Sequence, residues 1–241
     1  MLFRRVDYAS PVDNAPDWYL QHDGAPNRPC VVMLHGHGAH GDQLLTRPDL
    51  ARWLPELAAL QISLLLPNLR DNAWMSPAAA ADLAWLLSTV PQRRSKIVLW
   101  AGSMGGTGAL IFAVLHPELV DALVVMGAAT DLGRYRDWCG RQPAAIPAEI
   151  HRAIMAAYAG SSCRAHSAVD RADRLTMPIR FRHGGADQII PVEQARALAK
   201  RLAGRTNFDY REIPDGDHDS PLAFGLEDLR DMLKKLERTQ P

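Results

Sequence analysis

Short apolar segments recur along the chain and predict the strands of a sheet. They are bounded by proline or glycine and cover residues 30–35, 62–66, 97–100, 122–126 and 179–183. A strand that is buried on both faces loses the alternation of apolar and polar side chains, and parallel sheets are built of such strands. We therefore expect a mostly parallel central sheet. Residues 2–8 and 17–22 alternate instead and predict antiparallel edge strands.

Segments with helical periodicity lie between most of these runs. In each of them, apolar residues recur at intervals of three and four, which places them on one face of a helix. These predicted helices cover residues 49–60, 77–90, 104–116, 192–203 and 226–236. Strands that alternate with helices are typical of the α/β class, in which helices cover both faces of the sheet.

One long connection does not follow this alternation. Residues 131–174 contain a helix-like segment at 147–158 and are rich in tryptophan, tyrosine, isoleucine and methionine. A connection of this length inside a compact domain is usually functional when it is not disordered, and its composition argues against disorder. Neither a repeat nor a linker indicates a domain boundary, so a single domain over residues 1–241 is expected.

Composition narrows the classes of partner. The 241 residues include 27 lysines and arginines and 27 aspartates and glutamates, so the formal net charge is +0. Neither nucleic acid nor a membrane is therefore expected as a partner. The amino terminus does not resemble a signal peptide, and the sequence predicts no segment that spans a bilayer. The sequence leaves the oligomeric state open.

The cysteines predict a reducing, cytoplasmic location. The three cysteines are irregularly spaced, which fits neither a disulfide framework nor a zinc site. Cys30 opens a predicted strand and is expected to pack there. Cys139 and Cys163 lie in the polar middle of the chain and are expected to be pocket or surface thiols.

Candidate chemistry begins at Ser103, which directly follows an apolar run. Its neighbours Ala101, Gly102, Gly105 and Gly106 have little or no side chain. A strand that turns sharply into a helix and presents one hydroxyl at the bend needs such small neighbours. The pattern is the nucleophile elbow G-x-S-x-G, with Ala101 in place of the first glycine. On these residues the chain resembles the α/β-hydrolase superfamily, and in particular small bacterial serine esterases.

The resemblance implies a catalytic triad in the chain order serine, acid, histidine. The segment 183–191 resembles the family's loop after the seventh strand, which assigns Asp187 as the acid. A strand-like segment at 207–214 is followed by a loop that carries His218, which corresponds to the family's catalytic base. Other acids are weighed against Asp187 and are less favoured: Asp131, Asp215, Asp217 and Asp219.

The same resemblance implies an oxyanion hole and a cap. The backbone N–H groups of Met104 and His37 are assigned as oxyanion donors, because residues 35–37 match the family's H-G-x pattern. Residues 131–174 lie where the family carries its cap after strand six, so we expect a small helical cap there. The histidines of the H-G-x loop do not have the ligand pattern of a metal site, and no nucleotide-cofactor motif is present. We therefore expect no metal and no cofactor.

Other histidines are interpreted by position. His116, His151 and His166 lie where surface histidines usually lie, and His22 precedes the first strand of the core, so no chemistry is expected of these four. His183 is expected to order the acid loop rather than to take part in chemistry.

Substrate contacts are predicted on the loop after the fourth strand and on the cap. Trp74 and Met75 follow a strand whose carboxyl end should face the same edge as Ser103. Tyr135 and Trp138 are the corresponding candidates on the cap. Together they favour short acyl groups, acetyl to butyryl, on a carbohydrate or aromatic alcohol. The alternative is that Trp74 is a packed loop anchor.

The resemblance therefore predicts a serine hydrolase that cleaves a small-molecule carboxylic ester through an acyl-enzyme. An aminopeptidase or a carbon–carbon bond hydrolase would use the same residues, and the sequence does not separate these classes. A non-catalytic binding protein on the same fold is an alternative of another class, because a fold does not determine a function.

Overall fold

An eight-stranded sheet forms the centre of the protein, in a computed structural model that describes residues 1–90, 96–159 and 161–238. Of the predicted domain, residues 91–95, 160 and 239–241 lie outside the described residues. The strands are β1 (Arg4–Ala9), β2 (Pro16–His22), β3 (Cys30–Leu34), β4 (Ser63–Pro67), β5 (Ile97–Gly102), β6 (Ala122–Met126), β7 (Ile179–Gly184) and β8 (Phe208–Ile213).

The strand order in the sheet is β1-β2-β4-β3-β5-β6-β7-β8. The pairs β1–β2 and β2–β4 are antiparallel, and every other pair is parallel. This confirms the predicted mostly parallel sheet with an antiparallel edge. Because the carboxyl ends of β3 to β8 face the same edge, the loops that follow them lie side by side.

Helices connect the strands and cover both faces of the sheet. They are α1 (Gln43–Thr46), α2 (Pro48–Ala51), α3 (Leu54–Ala59), α4 (Pro77–Thr89), α5 (Ser103–Leu115), α6 (Leu132–Cys139), α7 (Ala145–Ala157), α8 (Val192–Arg201) and α9 (Leu222–Arg238). The predicted helix over 49–60 is wrong in one respect, because it is divided into α2 and α3. Pro55 lacks an N–H and its ring would clash with the carbonyl of Ala51, so one continuous helix is disfavoured.

Two apolar layers enclose the sheet. Val32 and Leu99 point into the layer that contains α4 and α5, whereas Val31 and Val98 point into the layer that contains α9. The inner strands β3 to β7 are thus buried on both faces, which explains why their sequences do not alternate. Within the described residues, no helix combines the length and the apolar character needed to cross a bilayer.

The long connection between β6 and β7 contains α6, α7 and short 3-10 turns. Buried side chains of both helices, including Leu132 and Ile150, belong to the same apolar layer as α5. Cys139 is fully buried here, so the prediction of a pocket or surface thiol is wrong for it, whereas Cys163 is buried but lines a separate cavity, as predicted. The apolar surroundings of Cys139 explain the difference, since free cysteine packs as a small apolar residue. That the segment acts as a cap stays a prediction.

Candidate active site

The bend between β5 and α5 places Ser103 at the carboxyl edge of the sheet. Ser103 has φ of 56°, in the left-handed region that a residue with a side chain rarely adopts. Close backbone packing explains the small neighbours. A Cβ at Gly105 would lie 2.2 Å from the carbonyl oxygen of Leu34, and one at Gly106 would lie 3.0 Å from Cβ of Ala128. A larger residue at position 105 would therefore displace β3.

Ser103, His218 and Asp187 form a continuous chain of hydrogen bonds. The Ser103 Oγ lies 3.0 Å from Nε2 of His218, and Nδ1 of His218 lies 2.7 Å from Oδ2 of Asp187. Because a carboxylate only accepts, Nδ1 carries the proton and Nε2 is left to accept from the serine hydroxyl. The three residues come from the ends of β5, β7 and β8, so the sheet itself sets their separation.

The Asp187 carboxylate is fully buried and its oxygens are occupied. Oδ1 accepts hydrogen bonds from the backbone N–H groups of Ile189 (2.8 Å) and Ile190 (2.9 Å). The buried His183 donates from Nε2 to the Ile190 carbonyl at 2.9 Å and lies 3.4 Å from Asp187 Oδ2. Burial lowers the pKa of His183. These contacts hold the carboxylate in one orientation toward His218.

The alternative acids are engaged elsewhere. Asp131 accepts a hydrogen bond from the Arg134 N–H at 2.9 Å and caps α6. Asp217 accepts from both the N–H and the hydroxyl of Ser220, which shapes the turn after His218. The side chain of Asp219 pairs with Arg47, and Asp215 is exposed. The structure therefore brings Asp187, and none of these four, to the imidazole of His218.

The loop after β3 is held by side chains from two neighbouring segments. The Gly36 N–H donates to Oε1 of Gln43 at 2.8 Å, and the Gly38 N–H donates to Oδ1 of Asn72 at 2.8 Å. These two bonds fix the backbone on either side of His37. Met104 is the second residue of α5, so its N–H has no carbonyl partner within the helix. No sequence pattern singled out Gln43 or Asn72, because both contacts depend on how the loops pack.

The His37 imidazole is oriented by Trp74. The indole Nε1 of Trp74 donates to Nδ1 of His37 at 3.3 Å, which leaves the proton on Nε2. That Nε2 is buried and lies 3.4 Å from Oε1 of Glu149 on α7, without hydrogen-bond geometry. Burial lowers the pKa of His37, against an opposing effect of the Glu149 charge. The neutral ring therefore packs as a support for its own backbone.

The structure does not place the four predicted substrate contacts at the cavity beside Ser103. Trp74, Met75 and Tyr135 are buried in the core, Trp138 is half-buried against Tyr135, and none of the four lines the cavity beside Ser103. Left-handed backbone at Trp74 (φ 47°) and Met75 (φ 54°) turns the loop so that both side chains point inward. The alternative of a packed loop anchor describes Trp74 correctly.

The prediction of a surface position for His166 is wrong, because the residue is buried. Its Nδ1 lies 2.8 Å from the hydroxyl of Tyr158 and 3.1 Å from the carbonyl of Met75. The Tyr158 hydroxyl donates to the carbonyls of Met75 and Trp74. Burial lowers the pKa of His166. This buried group anchors the loop after β4, and a lone histidine in a polar segment offered no signal of it.

A cavity of about 410 Å³ opens beside Ser103 and His218. Most of its remaining lining is apolar and comes from both faces of the sheet edge. The apolar side chains are Met33, Leu34, Leu50, Trp53, Trp100, Ala101, Met126, Ile146, Ile150, Ile189 and Leu222. The part of the chain that the structure describes contains no group of three or more His, Cys, Asp or Glu side chains placed to hold a metal ion.

The sheet order, the elbow and the chain Ser103–His218–Asp187 are the features of an α/β hydrolase. Residues 29–140 match the family model described as the alpha/beta hydrolase fold. The match and the sheet order show that the chain has the alpha/beta hydrolase fold, which confirms the resemblance noted in its sequence.

Its relatives include esterases. A pimeloyl-[acyl-carrier protein] methyl ester esterase of Vibrio vulnificus (strain CMCP6) is 23% identical over 239 residues, which cover 81% of this chain and 89% of the relative. Among solved structures, the Pyrococcus furiosus esterase Pf2001 has a TM-score of 0.71 at 15% identity, covering 97% of this chain and 92% of that one. The Staphylococcus aureus fluorophosphonate-binding serine hydrolase F has a TM-score of 0.69 at 14% identity, covering 96% and 98%.

Proposed function

We propose that this protein is a serine hydrolase that cleaves carboxylic esters through an acyl-enzyme. The observation that carries the proposal is the hydrogen-bond chain from Ser103 through His218 to the buried Asp187. A serine hydroxyl is a weak nucleophile at neutral pH, and it needs a base in contact and a group that orients that base. Both requirements are met beside a cavity that can admit a substrate.

In the first half of the reaction, Oγ of Ser103 attacks the ester carbonyl carbon and its proton passes to Nε2 of His218. Asp187 stabilises the resulting imidazolium, because its carboxylate is fixed 2.7 Å from Nδ1. The N–H groups of Met104 and His37 are proposed to bind the oxyanion of the tetrahedral intermediate. The anchoring of Gly36 and Gly38 supports this role, since it holds the His37 backbone in place before substrate arrives.

Release of the alcohol completes the first half, and hydrolysis of the acyl-enzyme then regenerates the enzyme. The imidazolium of His218 gives its proton to the leaving alcohol oxygen, the carbon–oxygen bond of the ester breaks, and the acyl group stays on Ser103. Water then attacks the acyl carbonyl and gives a proton to Nε2 of His218. The bond between the acyl carbon and Oγ of Ser103 breaks, Oγ takes the proton from His218, and the carboxylic acid leaves. The sum is one ester and one water converted to an acid and an alcohol.

The ester bond is favoured over other substrates by the relatives. The names of the curated relative and of the Pyrococcus protein both describe esterases. An aminopeptidase and a carbon–carbon bond hydrolase would use the same three residues and stay alternatives. A panel of p-nitrophenyl esters, aminoacyl amides and β-diketones would separate them, because only the class that fits the cavity should turn over.

A fluorophosphonate probe tests the proposal directly. We expect the wild-type protein to be labelled at Ser103 and to lose its ester hydrolysis in proportion to labelling. The Ser103→Ala variant should be folded and unlabelled. A folded wild-type protein that neither reacts with the probe nor hydrolyses any ester would instead support the non-catalytic alternative.

A further inference from the structure

The cavity beside Ser103 has a polar end and an apolar arm. Ser103, His218 and His37 lie at the polar end. The arm extends into the layer between the sheet and α9, and its lining consists of Met33, Leu50, Trp53, Trp100, Met126 and Leu222. The arm therefore continues from the site of bond cleavage into the apolar core on one face of the sheet.

Aromatic and sulfur-containing side chains of the arm pack closely against one another and against α9. The rings of Trp53 and Trp100 contact each other, with centroids 5.1 Å apart. A Cβ at Gly225 of α9 would lie 2.8 Å from Sδ of Met126 and 3.2 Å from Cη2 of Trp53. Trp53, Met126 and α9 are thus in close contact, so Trp53 cannot move outward to lengthen the arm.

Two polar side chains of the cavity lining, Trp100 and Arg47, make hydrogen bonds within the protein. The indole N–H of Trp100 donates to the carbonyl of Gly225 at 3.1 Å. The guanidinium of Arg47, which also lines the cavity, donates to Asp219 at 2.9 Å and to Asp49 at 2.8 Å. A polar or charged group of a ligand placed between the apolar side chains of the arm would lose its hydration, which is unfavourable unless it gains a hydrogen-bond partner there. An aliphatic chain has no such cost.

Trp53 is well placed to set the length of that chain. It is 6% exposed and lies in the short break between α2 and α3. Its N–H donates to the carbonyl of Leu50, and its carbonyl accepts from the N–H of Leu57. The backbone is therefore held on both sides of the break, and the indole forms a fixed part of the lining.

We propose that the arm binds an aliphatic chain of the ester and that Trp53 limits the length of chain accepted. This rests on the proposed function, since the chain is placed by its ester carbon at Ser103. The cavity volume of about 410 Å³ lies within the range of about 300–1,000 Å³ that drug-sized ligands occupy. The apolar lining favours a chain longer than the acetyl to butyryl groups expected from the sequence.

The test compares two substitutions in the arm with one outside it. Trp53→Ala enlarges the arm, whereas Leu222→Trp fills the arm from the start of α9, where Leu222 is only half-buried. Trp85→Ala is the matched control. Trp85 lies on α4, packs against Tyr8 of β1 and does not line the cavity. For each protein, kcat/KM is measured on p-nitrophenyl acetate, butyrate, octanoate and dodecanoate, and on acetates of alcohols of the same chain lengths.

We expect the wild-type protein to prefer octanoate to butyrate in one of the two series. That series identifies whether the acyl or the alcohol chain enters the arm. Trp53→Ala should raise the ratio of kcat/KM for the twelve-carbon chain over the four-carbon chain by at least about tenfold, which is the value of one additional methylene contact in an apolar pocket. Leu222→Trp should lower the same ratio, and Trp85→Ala should keep the wild-type profile.

Two results would overturn the inference. One is a wild-type preference for acetyl or butyryl in both series, which needs no variant to be folded. The other is a Leu222→Trp or Trp53→Ala protein that hydrolyses esters with the same chain-length profile as Trp85→Ala. In both cases fluorophosphonate labelling of Ser103 would persist. Failure of the proposed function differs, because the wild-type protein would then be neither labelled nor active.

Discussion

Two bends at the same edge of the sheet show different uses of a left-handed backbone. The elbow after β5 (Ile97–Gly102) turns at Ser103, with φ of 56°, and the loop after β4 (Ser63–Pro67) turns at Trp74 and Met75, with φ of 47° and 54°. Ser103 lines the cavity, whereas Trp74 and Met75 point into the core. Location at the carboxyl edge therefore does not by itself identify a residue that meets substrate.

The loop after β4 supports the site without lining the main cavity. The side chain of Asn72 accepts a hydrogen bond from the N–H of Gly38. The indole of Trp74 donates a hydrogen bond to the ring of His37. The carbonyl of Asn68 lies 2.7 Å from Nε2 of His35. Each bond runs from this loop to the loop that carries the proposed oxyanion donor. One bend therefore presents the reacting group, whereas the other holds in place the backbone of the proposed oxyanion donor.

Replacing the nucleophile should have the largest effect. Ser103→Ala removes the attacking oxygen and leaves the backbone donors in place, so we expect kcat to fall on the order of 10⁶-fold. Ester hydrolysis and thermal unfolding of the variant are measured together. Ser88→Ala is the control, since Ser88 is an exposed helix residue that bonds to the carbonyl of Trp85. Equal rates for the two variants would remove Ser103 from the mechanism.

Replacing the acid should have the next largest effect. Asp187→Asn keeps the shape of the side chain but removes the charge that orients His218, and we expect kcat to fall about 10⁴-fold. Asp131→Asn serves as the control, because Asp131 only caps α6 (Leu132–Cys139). That variant should lose at most about 2 kcal/mol of stability and keep its activity. The opposite pattern would assign the acid to Asp131.

Trp74→Ala tests whether the loop after β4 supports the site or binds substrate. Trp74 is 1% exposed and its ring packs between those of His37 and Tyr135. We expect the free energy of unfolding in urea to fall by about 3–5 kcal/mol, with no change in chain-length preference. Trp138→Ala, at a half-buried position, should cost less. A stable Trp74→Ala protein with an altered substrate preference would return Trp74 to the substrate site.

The buried histidine that anchors this loop predicts a smaller, pH-dependent effect. Because burial lowers the pKa of His166 in the folded protein, the unfolded chain binds more protons between that lowered pKa and about pH 6.5. The stabilisation is fully present above about pH 6.5 and is lost as the pH falls through this window. We expect wild-type stability to decline on acidification in urea unfolding experiments.

His166→Asn isolates this contribution. Asn retains a donor near the position of Nδ1 but does not titrate, so the slope of stability against pH should decrease by up to about 1.4 kcal/mol per pH unit. Tyr158→Phe removes the hydroxyl that contacts His166 and keeps the titrating group, so it should lower stability while preserving the slope. Identical slopes for wild type and His166→Asn would show that His166 does not couple folding to pH.

Local sequence determined the framework of the protein. Apolar runs without alternation predicted the parallel strands, because burial on both faces selects apolar side chains at every position. Small residues around Ser103 predicted the elbow, because larger side chains would clash with the backbone at such a sharp bend. The resemblance to the α/β-hydrolase family then assigned Asp187 and His218, and in the structure His218 is in hydrogen-bond contact with both Asp187 and Ser103.

Only the tertiary structure decided what each remaining side chain faces. Trp74 and His166 are in segments of mixed polarity, and their burial depends on residues distant in sequence, such as Tyr135 and Tyr158. The role of Gln43 and the extent of the arm that Trp53 lines likewise depend on the packing of separate elements. A strand or a sharp bend is encoded by neighbours along the chain, whereas a cavity is bounded by side chains that meet only after folding.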